Sequence, residues 1–286
     1  MKNSRPIIVG GCPRSGTTLM RRILNNHSRI HCGSEVKFFE DLFNDYRLDD
    51  QLKNIRFFNT ARNLAQEEDV INIFGNGFVK LHEVAANKAN KVRWADKCPS
   101  NVIYLNYWES ILKESFYFVH VVRNPLDTLA SLKEMEFDKS VPANFNQKID
   151  FYINYMKAGL AYEEIASDRY IRVIYEELVS FPEQVVSRLM SYLGESFEES
   201  QLKLDKPSNK GIEDPKINTT KTVHTSSFGR WNNILTPSEA VTTWEICKPI
   251  WHRIDKNYKF ISGLDSDGNI VKSSVSNNIF SRFFIK

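Results

Sequence analysis

The chain alternates short uncharged runs with longer amphipathic ones. Pro6-Ile7-Ile8-Val9-Gly10 is β-branched and uncharged, the composition of a buried strand. Thr17 to Asn26 follows, with Leu19, Ile23 and Leu24 at helical spacing. The polar, turn-rich piece from Asn25 to Ser34 is expected to be loop, with helices from about Val36 to Leu64. Val92 to Ala95 reads as a second strand, ending at Asp96-Lys97-Cys98-Pro99, and Asn101 to Leu112 as a helix. Phe116 to Val122 is the clearest strand, and it stops at Arg123-Asn124-Pro125, where the proline opens a helix running through Ser131. A long helix is expected over Phe145 to Ala166, a strand over Tyr170 to Tyr175, and a helix over Pro182 to Leu193. Lys206 to Val223 is polar and rich in Pro, Asn, Thr and Lys, which marks a long loop or lid.

Strands alternating with helices predict an α/β fold: a P-loop-like, mainly parallel central sheet flanked by helices on both faces. One domain is expected over 1–286, with 206–223 as the loop or lid and 262–286 as a C-terminal tail. Ligands of such sheets sit beyond the carboxyl ends of the strands. The glycine loop after the first strand, Asp96-Lys97, Arg123 and Tyr175 all fall there.

Composition narrows the function classes. The 38 basic and 35 acidic residues leave a net charge of +3, too balanced for wholesale nucleic-acid or membrane binding. Cys12, Cys32, Cys98 and Cys247 are scattered and form no CxxC pair, so they fit neither a zinc site nor a disulfide framework. Buried, reduced thiols are expected. The N-terminal apolar run is too short for a signal peptide, and no segment approaches a transmembrane length. A cytoplasmic protein is the expectation. The tail Ile279-Phe280-Ser281-Arg282-Phe283-Phe284-Ile285-Lys286 is apolar for a chain end. Docking on the core is its default role, with an oligomer interface or a membrane contact open.

Gly11-x-x-x-x-Gly16-Thr17-Thr18 has the spacing of a phosphate-binding loop between strand and helix. Glycine lets backbone N–H groups turn around phosphate oxygens at the positive end of a helix. The usual lysine of that motif is Thr17 here, which disfavours ordinary ATP or GTP chemistry. The loop instead carries Arg14 before Ser15. A second anion site is suggested by Arg123 at a strand end with Ser131 eight residues later. An ion pair between Arg123 and Asp127 is the competing reading. Together the two sites point to a nucleotide with two separated phosphates.

Pro13-Arg14-Ser15-Gly16-Thr17-Thr18-Leu19 resembles the 5′-phosphosulfate loop of sulfotransferases, and Val121-Val122-Arg123-Asn124-Pro125 with Ser131 resembles their 3′-phosphate site. The likeness extends through Arg172-Val173-Ile174-Tyr175-Glu176-Glu177-Leu178 and Ser226-Ser227-Phe228-Gly229-Arg230-Trp231, spanning most of residues 6 to 245. Within the family, the stretch from Gly11 to Glu35 is most similar to the protein-tyrosine sulfotransferases, whose members are Golgi membrane proteins. The resemblance implies the donor 3′-phosphoadenosine 5′-phosphosulfate (PAPS) and no metal requirement. It implies that Arg14, Ser15, Gly16, Thr17 and Thr18 hold the 5′-phosphosulfate, Arg123 and Ser131 the 3′-phosphate, and Tyr175 the nucleotide. Ser227, Phe228, Gly229, Arg230 and Trp231 join the donor site by the same likeness. Glu35 matches the family's catalytic base and Lys97 the lysine that stabilises the leaving oxygen. Two positions depart from the pattern. Met135 stands where a basic residue is expected, and Gly229 where a serine is, with Ser226 or Ser227 as its replacement if the loop is shifted.

The expected reaction is sulfonyl transfer to a hydroxyl or amine, with Glu35 as base and Arg14 and Lys97 stabilising charge. Residue chemistry alone leaves competitors: Glu35 as an acid at a helix start, His27 or His31 as the base, and Trp231 as a core anchor rather than an adenine platform. Two other function classes stay open, a nucleotide kinase with a replaced P-loop lysine and an inactive nucleotide-binding protein. The acceptor (carbohydrate, tyrosine, lipid or small natural product) and a homodimer stay open too.

Overall fold

β1 (Ile7–Gly10) is buried along its whole length, and the sheet is built outward from it on both sides. The structure is a computed structural model that describes residues 5–43, 60–61, 63–135, 141–204, 222–265 and 268–271. β2 (Ile30–Cys32), β3 (Arg93–Lys97), β4 (Tyr117–Val122) and β5 (Tyr170–Ile174) complete a five-stranded sheet of order β2-β3-β1-β4-β5. All four pairings are parallel. The α/β, P-loop-like expectation is met.

Alternation along the strands sends side chains to two separate cores. Ile7, Val9, Val119, Val121 and Val173 face α1 (Thr17–Asn25), α7 (Tyr175–Ser180) and α8 (Pro182–Leu193) through Met20, Ile23, Leu178, Val186 and Leu189. Ile8, Trp94, Phe118 and Val122 pack on the other face. There they meet α2 (Phe38–Phe43), α3 (Glu67–Lys88), α4 (Leu105–Leu112), α5 (Pro125–Lys133) and α6 (Phe145–Ile165). A third cluster, with Leu126, Ala130, Trp231, Trp244 and Trp251, joins α5 to α9 (Pro237–His252). α9 starts on a capping box in which Thr236 and Glu239 satisfy each other's amides.

Several boundaries differ from expectation. The piece read as loop contains β2, whose Ile30, His31 and Cys32 pair with Arg93, Trp94 and Ala95. β3 extends to Lys97, so that lysine is a strand residue. Asn101 to Leu112 is not one helix. A 3-10 turn (Pro99–Ile103) comes first, because Asn101 turns inward to bond Val9 O at 3.0 Å and Asp96 at 2.8 Å. Tyr175 opens a helix instead of closing β5. Of the helices expected from Val36 to Leu64, Phe38–Phe43 forms, and 44–59 lie outside the described residues. The loop or lid at 206–223, apart from Thr222 and Val223, and the apolar end of the tail also lie outside them.

Candidate active site

The loop after β1 takes its shape from glycine at two places. Gly11 has φ 153°, and a Cβ there would stand 2.2 Å from Val121 O. Gly16 has φ 96° and caps α1, and a Cβ there would stand 2.4 Å from the Tyr175 ring. Backbone at both points must approach what a side chain would block. Between them Ser15 N donates to Cys12 O at 3.0 Å, closing a turn that aims the loop toward the start of α1. Arg14 adopts φ 73°, a left-handed conformation that costs a non-glycine residue about 1–2 kcal/mol. Ser15 is fully buried, and its Oγ has no hydrogen-bond partner among the described residues. A buried hydroxyl left unpaired costs ~1–3 kcal/mol, which fits a loop shaped to receive an anion.

β4 ends beside this loop and delivers Arg123. Its guanidinium donates to Arg14 O at 3.0 Å and to Ser227 O at 2.5 Å, and lies 4.7 Å from the Tyr175 ring centre. Arg14 Nε donates to Ser131 Oγ at 3.0 Å from across the site. Arg14, Arg123, Ser131 and Tyr175, spread over most of the sequence, therefore meet at the carboxyl ends of β1, β4 and β5. Burial and Glu176 push the Tyr175 phenol up, with Arg123 and Ser227 opposing, so the ring is neutral near pH 7.

Asp127 does not take the partner anticipated for it. Its carboxylate accepts Gly229 N at 2.8 Å and Trp231 N at 3.0 Å, and Asn124 Nδ2 at 2.9 Å. Arg123 has Glu176 as its neighbouring carboxylate instead, with Nε 3.9 Å from Oε1. Glu176 is completely buried and accepts Asn124 N at 3.1 Å and Asn124 Nδ2 at 2.7 Å. Burial pushes this carboxyl up to about 8, against the pull of Arg123. Sequence reasoning missed the structural part played by Glu176 and Asn124. The available signal was Asn124-Pro125-x-Asp127, an N-cap box, since Asn124 Oδ1 accepts Asp127 N at 2.8 Å.

The segment 227–231 meets the site mainly through its backbone. Phe228 N donates to Thr225 O at 2.9 Å, and Arg230 pairs with Glu134 at 2.9 Å. Trp231 is buried in the third core, its indole donating to Ser262 O at 3.3 Å. Gly229 sits at φ 73° with Ser262 Oγ 2.6 Å from a Cβ position, so a serine there would strain and collide. Ser226 Oγ lies 2.7 Å from His224 Nδ1.

The other half of the candidate site is formed by β3 and the stretch before α2. Lys97, 2 % exposed, makes an ion pair with Glu35 and reaches Thr18 Oγ1 at 3.5 Å. Thr18 lies in the first turn of α1, so an acid, a cation and a hydroxyl meet at the loop's edge. Of the rival bases, His27 is buried against Ser196 O at 3.0 Å, and His31 lies on β2, half-buried, with its imidazole pushed down by burial and Lys91. All four cysteines are buried and free, and burial pushes the Cys32 thiol up to about 12. They are inert thiols.

A family model described as the sulfotransferase family matches residues 6–199. The chain belongs to the sulfotransferase family. A protein-tyrosine sulfotransferase of Drosophila melanogaster is 26% identical over 240 residues, covering 79% of this chain and 46% of that protein. The chain thus spans about half the length of that relative. The sulfotransferase domain of the Synechococcus PCC 7002 olefin synthase superposes with a TM-score of 0.60 at 21% identity, covering 84% of this chain and 93% of that one. Mouse sulfotransferase SULT7A1, solved in complex with PAP, gives a TM-score of 0.50 at 15% identity, with 88% and 87% covered. These structural likenesses establish the fold.

Proposed function

We propose that the protein transfers a sulfonyl group from PAPS to a hydroxyl of an acceptor. The observation that carries this reading is the junction of Glu35, Lys97 and Thr18 at the edge of a phosphate-binding loop that lacks its own lysine. A base and a cation in direct contact, beside an anion cradle, suit a reaction that moves a proton one way and negative charge the other. Ser15 Oγ, buried without a partner, and the Arg14–Ser131–Arg123 group supply donors for two separate phosphates. The mouse relative solved with PAP supports the same nucleotide here.

In this mechanism Glu35 takes the proton of the acceptor hydroxyl as its oxygen bonds to sulfur, a contribution of ~10²–10⁴-fold. Lys97 donates to the phosphate oxygen that departs as the sulfur–oxygen bond breaks, and so stabilises the charge it gains. Arg14 and the loop amides hold the transferring group in line. Arg123 and Ser131 hold the 3′-phosphate, and Tyr175 and the segment 227–231 fix the nucleoside. No metal is assigned a role.

Protein tyrosine is the first acceptor class to test, because the curated relatives act under that name. Four buried free cysteines support a reducing, cytoplasmic location, and among the described residues no helix is long and apolar enough to cross a membrane. The test is a transfer screen with labelled PAPS against a tyrosine peptide, a saccharide, a lipid alcohol and a phenol. Label on one acceptor without added ATP supports the reading. Magnesium-dependent ATP turnover with no transfer from PAPS would replace it with a kinase, and PAP binding without transfer would make it an inactive binder.

A further inference from the structure

Glu35 lies in the irregular stretch between β2 and α2, so no regular backbone fixes it. Its carboxylate is held by Lys97. On the function proposed above, Lys97 also donates to the leaving oxygen during transfer, which divides the ammonium between the two and weakens its hold on Glu35. The loop bearing the base then needs a second tie to β3.

One exists. Ser100 Oγ donates to Glu40 Oε1 at 2.5 Å, and the Cys98 thiol lies 3.5 Å from the same oxygen. Cys98 Sγ and Ser100 Oγ are themselves 3.1 Å apart, and both residues are buried. Glu40 lies in α2, which directly follows the stretch that carries Glu35, and Ser100 lies in the 3-10 turn that follows β3 and Lys97. Two contacts therefore cross between these neighbouring segments, and only one of them is shared with the chemistry. α2 is also held by apolar packing: Phe38 stacks on Phe78 at 4.4 Å, Phe39 meets Tyr104 at 5.1 Å and Trp108 at 5.3 Å, and Phe43 meets Tyr107 at 4.8 Å. That packing is non-directional, whereas the hydrogen bond from Ser100 is directional and fixes how the N-terminal half of α2, next to Glu35, is set against the turn after β3.

We infer that Glu40 is a positioning residue for the transfer reaction, its bond to Ser100 keeping Glu35 at the loop edge when Lys97 turns to the donor. This rests on the proposed function. A carboxamide at position 40 retains the oxygen that Ser100 needs, whereas alanine does not.

The experiment compares Glu40→Ala, Glu40→Gln and Ser100→Ala with the full wild-type chain, in two measurements. The first is amide hydrogen exchange over residues 33–43 with adenosine 3′,5′-bisphosphate bound. The second is transfer from labelled PAPS to an acidic tyrosine-containing peptide. Glu40→Ala and Ser100→Ala should each speed exchange in that segment at least ~10-fold and lower kcat ~10–100-fold, with the KM for PAPS within about twofold of wild type. Glu40→Gln should stay within about threefold of wild type in both. Wild-type exchange and kcat in the two alanine variants overturn the inference. So does a Glu40→Gln variant as damaged as Glu40→Ala, since the carboxylate itself would then be required. If Glu40→Ala does not fold, Ser100→Ala removes the same bond from the other side. If the wild-type chain transfers nothing to the peptide, the proposed function fails on that acceptor while the exchange measurement still decides the role of Glu40.

Discussion

One oxygen of Asp127 accepts the amide of Gly229 at 2.8 Å, fastening a segment from late in the chain onto the helix that follows Arg123. The other oxygen accepts Trp231 N at 3.0 Å. Asp127 is 2 % exposed, so water does not replace it when it is removed. Each bond to a buried carboxylate is worth roughly 1.5–3 kcal/mol. Asp127→Ala should therefore lower stability by about 2–4 kcal/mol in denaturant unfolding. It should also weaken adenosine 3′,5′-bisphosphate binding at least ~10-fold by calorimetry, because Ser227, which accepts from Arg123, rides on the same segment.

Gly16 is the second test of the donor loop. Its φ of 96° is costly for alanine, by about 1–2 kcal/mol. The added methyl would also stand 2.4 Å from the Tyr175 ring, whose centre lies 4.7 Å from the Arg123 guanidinium. Gly16→Ala should displace Tyr175 and cut nucleotide affinity ~10-fold or more. Gly194→Ala provides the control: it shares a positive φ of 76° but meets no atom within 4 Å. It should lose stability without losing affinity.

How much of this was legible in the chain depended on where each signal was stored. β1 and β4 announced themselves because they are buried almost throughout and largely apolar, and β5 because it is β-branched and aromatic apart from Arg172. β2 did not, since three residues including His31 carry no periodicity; its pairing with β3 is a tertiary event. α3 was unassigned because it contains Gly75 and Gly77, and Gly75 is there for packing, a Cβ meeting Ile111 at 2.3 Å. The phosphate loop was readable from glycine spacing alone. The meeting of Glu35 with Lys97 was not, for no local pattern encodes a contact between a loop acid and a distant strand lysine. A family resemblance suggested both residues, and the geometry puts them in contact.

Glu176 makes stability depend on pH. Its carboxyl, near 4.5 when unfolded, is pushed up to about 8 by burial in the fold. Between those values the folded protein holds a proton that the unfolded chain has released. Stability should then fall as pH rises from about 5 to 8, on the order of 1 kcal/mol per unit. Glu176→Gln keeps an oxygen for the Asn124 amide and removes the titration. Its unfolding free energy should be flatter across that range than that of wild type, measured by urea titration at each pH. Parallel slopes in the two proteins would count against the assignment.

The strongest test of the chemistry separates Glu35 from Lys97. Glu35→Ala removes the proposed base but leaves the loop, Arg14 and Arg123 in place, so kcat should fall ~10²–10⁴-fold while adenosine 3′,5′-bisphosphate binds as in wild type. Lys97→Met removes the buried cation and leaves Glu35 without its ion-pair partner. This variant should lose rate by ~10²–10³-fold, the scale for deleting one group that stabilises a developing anion. With aryl sulfates driving the reverse reaction onto adenosine 3′,5′-bisphosphate, Glu35→Ala should recover more activity than Lys97→Met as the departing phenolate becomes a weaker base, since Glu35 returns its proton to that oxygen while Lys97 contacts the nucleotide phosphate. Both effects are read from kcat across that series of aryl sulfates. Equal sensitivity of the two variants to the leaving group would remove the division of labour between acid and cation.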